Sequence, residues 1–248
     1  MTKLSVNVNK VALLRNTRSI GIPSVTQAAL RSIEAGAHGI TVHPRPDQRH
    51  IRPSDVFELV ELVAGHPGLE FNIEGNPFPE FLDIVRRVRP AQCTLVPDSP
   101  EQATSDHGWD LDREARRLAP IVQELNDLGI RVSLFMDAGT VQWQQVRELG
   151  AQRVELYTEP YAAAFARNDF ESTLSQFAAA ASAAQAAGLG VNAGHDLNLQ
   201  NLGAFCRTVS GILEVSIGHA LIADALEMGF YNAVRAYLQA LAVPGLNR

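Results

Sequence analysis

Short apolar runs rich in β-branched residues recur along the chain. Each is followed by a longer stretch in which apolar positions return at helical spacing. The first class comprises KLSVNVN (3–9), GITVHP (39–44), LEFNIE (69–74), QCTLVP (92–97), RVSLFMD (131–137), RVELYT (153–158), GVNAGH (190–195) and LEVSIGH (213–219). The second covers about 24–36, 53–64, 78–88, 112–128, 140–149, 168–187, 198–209 and 220–242. Ser24, the triplet Pro53-Ser54-Asp55 and Asp112 open helices, because their side chains satisfy unpaired N–H groups or preset the first turn. Gly129, Gly150 and Gly188 stand where a helix must end before the next strand.

Eight strand–helix units with no linker between them predict an α/β fold. The expected architecture is a single-domain (β/α)8 TIM barrel spanning 1–248. An open doubly wound sheet is the alternative, but it usually has fewer strands, and no GxGxxG follows the first strand. The stretch between Pro97 and Leu111, PDSPEQATSDHGWDL, is polar, turn-rich and longer than a strand–helix connection needs. It predicts a lid-like loop after strand 4.

Composition narrows the function classes. The 248 residues are 46% hydrophobic and 19% charged, as in a globular enzyme rather than a disordered chain. A net charge of −6 argues against nucleic acid or a membrane surface as partner. No run of about 18 apolar residues occurs, and MTKLSVNVNK reads as too short and polar for a signal peptide, so a cytoplasmic protein is expected. Cys93 and Cys206 lie in apolar runs without a CxxC and read as reduced core thiols. Lys3 and Lys10 are the only lysines.

Barrel active sites form at the C-terminal ends of the strands. Strand by strand, the polar residues available there are Asn7, Asn9 and Lys10; His43, with Arg45 and His50 beyond it; Glu70, Asn72 and Glu74; Asp137; Glu155; Asn192, Gly194 and His195; and Gly218 and His219. Taken singly, a loop histidine or arginine is usually just solvated. Together they point to a ligand, because buried polar groups without partners are costly. Histidine moves protons near neutral pH and arginine clamps phosphate. The Gly-His pairs ending strands 7 and 8 suit phosphate, since glycine lets the backbone approach an anion. HExxH, GxSxG, paired CxxC and GK[ST] patterns are absent, so no metal is expected.

VNVNKVALLRNTR (6–18), ITVHPRPDQRHI (40–51), LEFNIE (69–74), VNAGH (191–195) and SIGHALIADAL (216–226) resemble the pyridoxine 5′-phosphate synthase family, and the resemblance runs along essentially the whole chain. It implies a barrel enzyme of vitamin B6 biosynthesis. That family condenses 3-amino-2-oxopropyl phosphate with 1-deoxy-D-xylulose 5-phosphate, without cofactor or metal, and assembles as octamers. Carried over by position, His43 and Glu70 resemble the proton acceptors, His195 the proton donor, and Glu155 a carboxylate that stabilises the transition state. Asn7, Arg18, Gly194, Gly218 and His219 match the aminoketone phosphate site. Asn9, Lys10, Arg45, His50 and Thr104 match the deoxyxylulose phosphate site. The family commonly has Asp-His where this chain has Asn9-Lys10. Two other readings remain at this point. One is a Schiff-base aldolase or isomerase of phosphorylated sugars using Lys10; the other is a non-catalytic sensor of the same metabolites.

Overall fold

The computed structural model describes residues 1–242. The last six residues of the expected domain, including Val243 at the end of the apolar C-terminal stretch, lie outside the described residues. The chain begins with β1 (Lys3–Asn7), α1 (Asn9–Asn16), α2 (Val25–Glu34), β2 (Gly39–Val42), α3 (Pro53–Ala64), β3 (Glu70–Gly75), α4 (Pro79–Val88) and β4 (Gln92–Leu95). It continues with α5 (Leu111–Asp127), β5 (Arg131–Met136), α6 (Trp143–Glu148), β6 (Arg153–Tyr157), α7 (Glu159–Ala166) and α8 (Glu171–Ala186). It ends with β7 (Gly190–Gly194), α9 (Leu202–Thr208), β8 (Ile212–Ile217), α10 (His219–Met228) and α11 (Phe230–Ala242).

The strands pair in parallel in sequence order, and β8 closes onto β1 with Leu4 beside Val215 and Val6 beside Ile217. The eight-stranded TIM barrel therefore forms, and the open sheet is excluded because β1 has a neighbour on both sides. Local signals act as expected at several helix starts. Ser24 Oγ accepts the Gln27 N–H, and Pro53 opens α3 while the Asp55 carboxylate accepts the Arg52 N–H at 2.8 Å. α5 starts earlier than expected, because Asp110 rather than Asp112 is its cap.

Three helical features depart from the sequence expectation. α1 occupies the end of the first apolar run, which reads as strand and then loop. α7 precedes the expected 168–187 helix as a separate short element. The expected single helix over 220–242 breaks into α10 and α11 at Gly229, whose φ of +82° is accessible to glycine without strain.

The apolar layer lies between strands and helices. Leu4, Ile40, Ile73, Leu95, Leu134 and Leu156 are all fully buried there. The barrel interior is polar instead. Ser5 Oγ and Thr41 Oγ1 are 2.7 Å apart, Thr94 donates to Asn72 at 3.1 Å, and Asn192 donates to Glu214 across the β7–β8 pair. Cross-barrel contacts join Ser216 to Glu74 and Gln92 to Glu214. Buried polar groups of this density are tolerated because they satisfy one another.

This interior has two ends. The N-terminal end carries Lys3, Arg131, Arg153 and Glu70. Glu70 is the first residue of β3, where it accepts from Lys3 Nζ at 2.6 Å and is paired with Arg131. The expectation that Glu70 sits on the catalytic rim is therefore corrected. In a parallel strand the first residue stands at the opposite mouth from the last, and the carboxylate near the C-terminal end is Glu74, just before Gly75.

Segment 96–110 has no regular structure, and Val96, Ala103, Thr104 and Ser105 from it line the cavity described below. It returns to the barrel through the buried Trp109, whose N–H donates to Phe135 O and whose ring Nε1 donates to Leu95 O at 2.8 Å. No helix is long and apolar enough to cross a membrane among the described residues.

Candidate active site

A cavity of about 550 Å³ opens at the C-terminal mouth. Asn7, Asn9, Lys10, His43, Arg45, His50, Thr104, Glu155, His195, Gly218 and His219 all line it. It also takes in Arg49, Glu74 and Ser216.

The first helix organises one wall. Asn7 Oδ1 accepts the Asn9 N–H at 3.0 Å, and Asn9 Oδ1 accepts the His43 N–H at 2.9 Å. Asn9 is thus committed to holding the end of β2. The end of α1 holds the loop after β2. Asn16 Nδ2 donates to His50 O at 2.7 Å, and Arg15 donates to the same carbonyl while paired with the buried Asp55. Lys10 stands on the wall, and no carboxylate among the described residues lies within ion-pair distance of its ammonium.

His43, His50 and His195 stand at the cavity. His43 is buried, and desolvation, then the charge of Arg45, His50, Arg49 and His195, keeps its ring well below the usual histidine range. Burial, then Arg45 and Lys10, lowers His50 to about 4. His50 Nδ1 accepts the Ile51 N–H at 2.9 Å, so the neutral ring carries its proton on Nε2. His195 lies between Asp196 Oδ2, 3.2 Å from Nδ1, and Thr104 Oγ1, 2.9 Å from Nε2. Its φ is +87°, a sparsely populated conformation for a side-chain-bearing residue and a common sign of a functional site.

The cavity floor is acidic. Desolvation, then Glu214 and Asp98, pushes the Glu74 carboxyl up to about 8; Asn72 Nδ2 and Ser216 Oγ approach it at 3.2 and 3.5 Å. Glu155 is buried and raised well above the usual carboxylate range by desolvation, then by Glu74. Two such acids ionise less readily than ordinary carboxyls and can give or take protons closer to neutrality. Glu70 behaves in the opposite way. Although partial burial alone would raise it, the hydrogen bonds from Lys3 and Arg131 hold it down at about 2, too weak a base for work near neutrality.

Two further residues expected at the site fall outside this lining. Gly194 does not line the cavity. A Cβ there would stand 2.1 Å from Glu155 Oε1, so the missing side chain makes room for the carboxylate. Arg18 is exposed beyond the end of α1 and does not line the cavity. Gly218, by contrast, is on the wall and is the N-cap of α10, whose first N–H groups are unpaired donors suited to an anion. Sequence reasoning missed Asp98, buried at the start of the loop and paired with Arg45. Burial outweighs that arginine and keeps the Asp98 carboxyl above its ordinary range. Reading chain direction along LEFNIE would have favoured Glu74; no sequence signal marked Asp98. Among the described residues, no group of three or more His, Cys, Asp or Glu could hold a metal ion.

A family model described as pyridoxal phosphate biosynthesis protein PdxJ matches residues 4–243. The chain belongs to the PdxJ family. A relative from Albidiferax ferrireducens, named pyridoxine 5′-phosphate synthase, is 56% identical over 97% of this chain and 98% of its own length. One of the same name from Xanthomonas campestris pv. campestris is 55% identical over 97% and 96%. Solved barrels share the PdxJ fold at low identity. A 3-keto-L-gulonate-6-phosphate decarboxylase from Vibrio cholerae gives a TM-score of 0.64 at 11% identity, covering 96% of this chain and 97% of that one. A phosphoribosyl anthranilate isomerase from Thermus thermophilus gives 0.60 at 15%, covering 97% and 98%.

Proposed function

We propose that the chain is a pyridoxine 5′-phosphate synthase. It condenses 3-amino-2-oxopropyl phosphate with 1-deoxy-D-xylulose 5-phosphate, releasing inorganic phosphate and water. The observation that carries this reading is one cavity with a cationic lip (Lys10, Arg45, Arg49) above two raised carboxyls, Glu74 and Glu155. Phosphates need the first, and imine formation, dehydration and ring closure need the second, because each moves protons between nitrogen, oxygen and carbon. Relatives of the same name at 55–56% identity support it.

In this reading His43 and Glu74 are the proton acceptors, Glu74 taking the place given to Glu70 from the sequence. His195 is the proton donor, and Glu155 steadies charge at the floor. Lys10, Arg45, His50 and Thr104 hold the deoxyxylulose phosphate, with Asn9 acting through His43. Asn7, Gly218 and His219 hold the aminoketone phosphate. The loop over 96–110 acts as a lid. Its grip comes from Arg49, which donates to the carbonyls of Pro100, Gln102 and Ala103. The protein works in the cytoplasm as a homo-oligomer, an octamer by family resemblance. Exposed Leu14, Ile22 and Leu226 near an apolar crevice between α1, α2 and α10 support an interface.

Incubation of the purified protein with both substrates tests the function. Pyridoxine 5′-phosphate, detected by mass and fluorescence together with released phosphate, is the expected result. Binding without turnover would make the protein a sensor, and borohydride-trapped substrate on Lys10 would make it an aldolase.

A further inference from the structure

Asp98 is a knot between the loop and the cavity wall. Its side chain is 3% exposed. Oδ2 accepts from Arg45 Nη2 and from Ser105 Oγ at 2.8 Å, and stands 3.8 Å from His43 Nε2. Oδ1 is buried with no hydrogen-bond partner among the described residues. Arg45 also donates from Nη1 to the Gln102 carbonyl at 3.0 Å, so the same guanidinium ties two points of the loop.

A buried carboxylate persists only with a compensating charge. For Asp98 that charge is Arg45, with His107 and Asp106 of the same loop also acting on it. A guanidinium is also the side chain best shaped to clamp phosphate. When a phosphate engages Arg45, less of that charge remains for Asp98. The ring of His43, 3.8 Å from Oδ2, is a nearby group able to replace it. The other titratable or charged groups acting on His43 are Arg45, Arg49 and His50 from the loop after β2 and His195 from the end of β7, and each disfavours an imidazolium.

We propose that Asp98 is a positioning residue that ties the basicity of His43 to occupation of the phosphate subsite. Phosphate at Arg45 hands the Asp98 carboxylate to His43, which then becomes a stronger proton acceptor. The inference rests on the phosphate role given to Arg45 above. In the empty protein His43 stays neutral and weakly basic. A bound substrate creates the base that it needs, and does so only when the loop that carries Asp98 is in place.

Two measurements test the proposal. The first is NMR titration of the His43 ring, assigned by loss of its signals in His43→Gln, with and without saturating inorganic phosphate. Phosphate is expected to raise the His43 pKa by about 1–3 pH units in the wild type and to have little effect in Asp98→Asn. An equal rise in both proteins, or none in the wild type, overturns the proposal. The second is the pH profile of kcat. Asp98→Asn is expected to lower the plateau at least tenfold and to move the acid limb to lower pH, with Asp98→Glu restoring much of both. A loss of melting temperature with an unmoved acid limb would mark Asp98 as structural and overturn the proposal. If the wild type forms no product, the synthase reading fails, while the NMR titration still decides this inference.

Discussion

Thr104 Oγ1 lies 2.9 Å from His195 Nε2, although 91 residues separate them. The contact joins the middle of the loop after β4 to the end of β7, where the His195 backbone is held at φ +87°. Thr104→Val keeps the shape and removes the hydroxyl. Turnover is expected to fall about threefold to tenfold, the worth of one lost hydrogen bond, with the melting temperature unchanged because the contact is exposed. Single-turnover kinetics beside a thermal melt check this. An unchanged rate would leave the loop a mere connector.

Lys10 faces the cavity without a carboxylate partner among the described residues. Its charge is therefore free for substrate. Lys10→Met is expected to raise KM for 1-deoxy-D-xylulose 5-phosphate about ten- to a hundredfold, the loss of a charged contact of roughly 1.5–3 kcal/mol. KM for the aminoketone and the melting temperature should change little. A fall in melting temperature with both KM values unmoved would place Lys10 in a structural role.

Glu70 is a stability element of the N-terminal mouth. Its carboxyl is held at about 2, below the ordinary 4.5, so its contribution is fully present above about pH 4.5 and is lost as the pH falls toward 2. Glu70→Gln is expected to lower the melting temperature at pH 7 by a few degrees, for about 1–2 kcal/mol. The gap between variant and wild type should close in acid. Scanning calorimetry from pH 2 to 7 would count against this account if the gap stayed constant.

Glu74 has the opposite sign. Its carboxyl is raised from 4.5 to about 8, so the folded protein loses stability relative to a neutral isostere as the pH rises through that window. Glu74→Gln should melt with the wild type near pH 4 and above it at pH 8. Denaturant unfolding at the two pH values reads the difference, and a variant less stable than the wild type at pH 8 would refute the raised carboxyl.

The barrel was legible because its apolar strand faces and helical stripes repeat eight times, and most of the wall residues followed from asking what each strand delivers at its end. The polar interior was not legible, since Ser5, Thr41, Asn72 and Thr94 satisfy one another across strands far apart in sequence. Glu70 and Glu74 share a face of one strand, so alternation cannot separate them; chain direction does, and it favours Glu74. Gly194 carries the sequence look of a phosphate glycine, yet its missing Cβ serves Glu155 on the neighbouring strand. Asp98 lies in a stretch without periodicity, where sequence carries no register at all.

The most direct measurement is product formation by Glu74→Gln and Glu70→Gln beside the wild type, with both phosphorylated substrates at saturation. Pyridoxine 5′-phosphate is expected from the wild type and, at near wild-type rate, from Glu70→Gln, with turnover by Glu74→Gln reduced about 10²–10⁴-fold. A folded Glu70→Gln protein that forms no product, beside an active Glu74→Gln, would contradict it, as would a wild-type protein that turns over neither substrate.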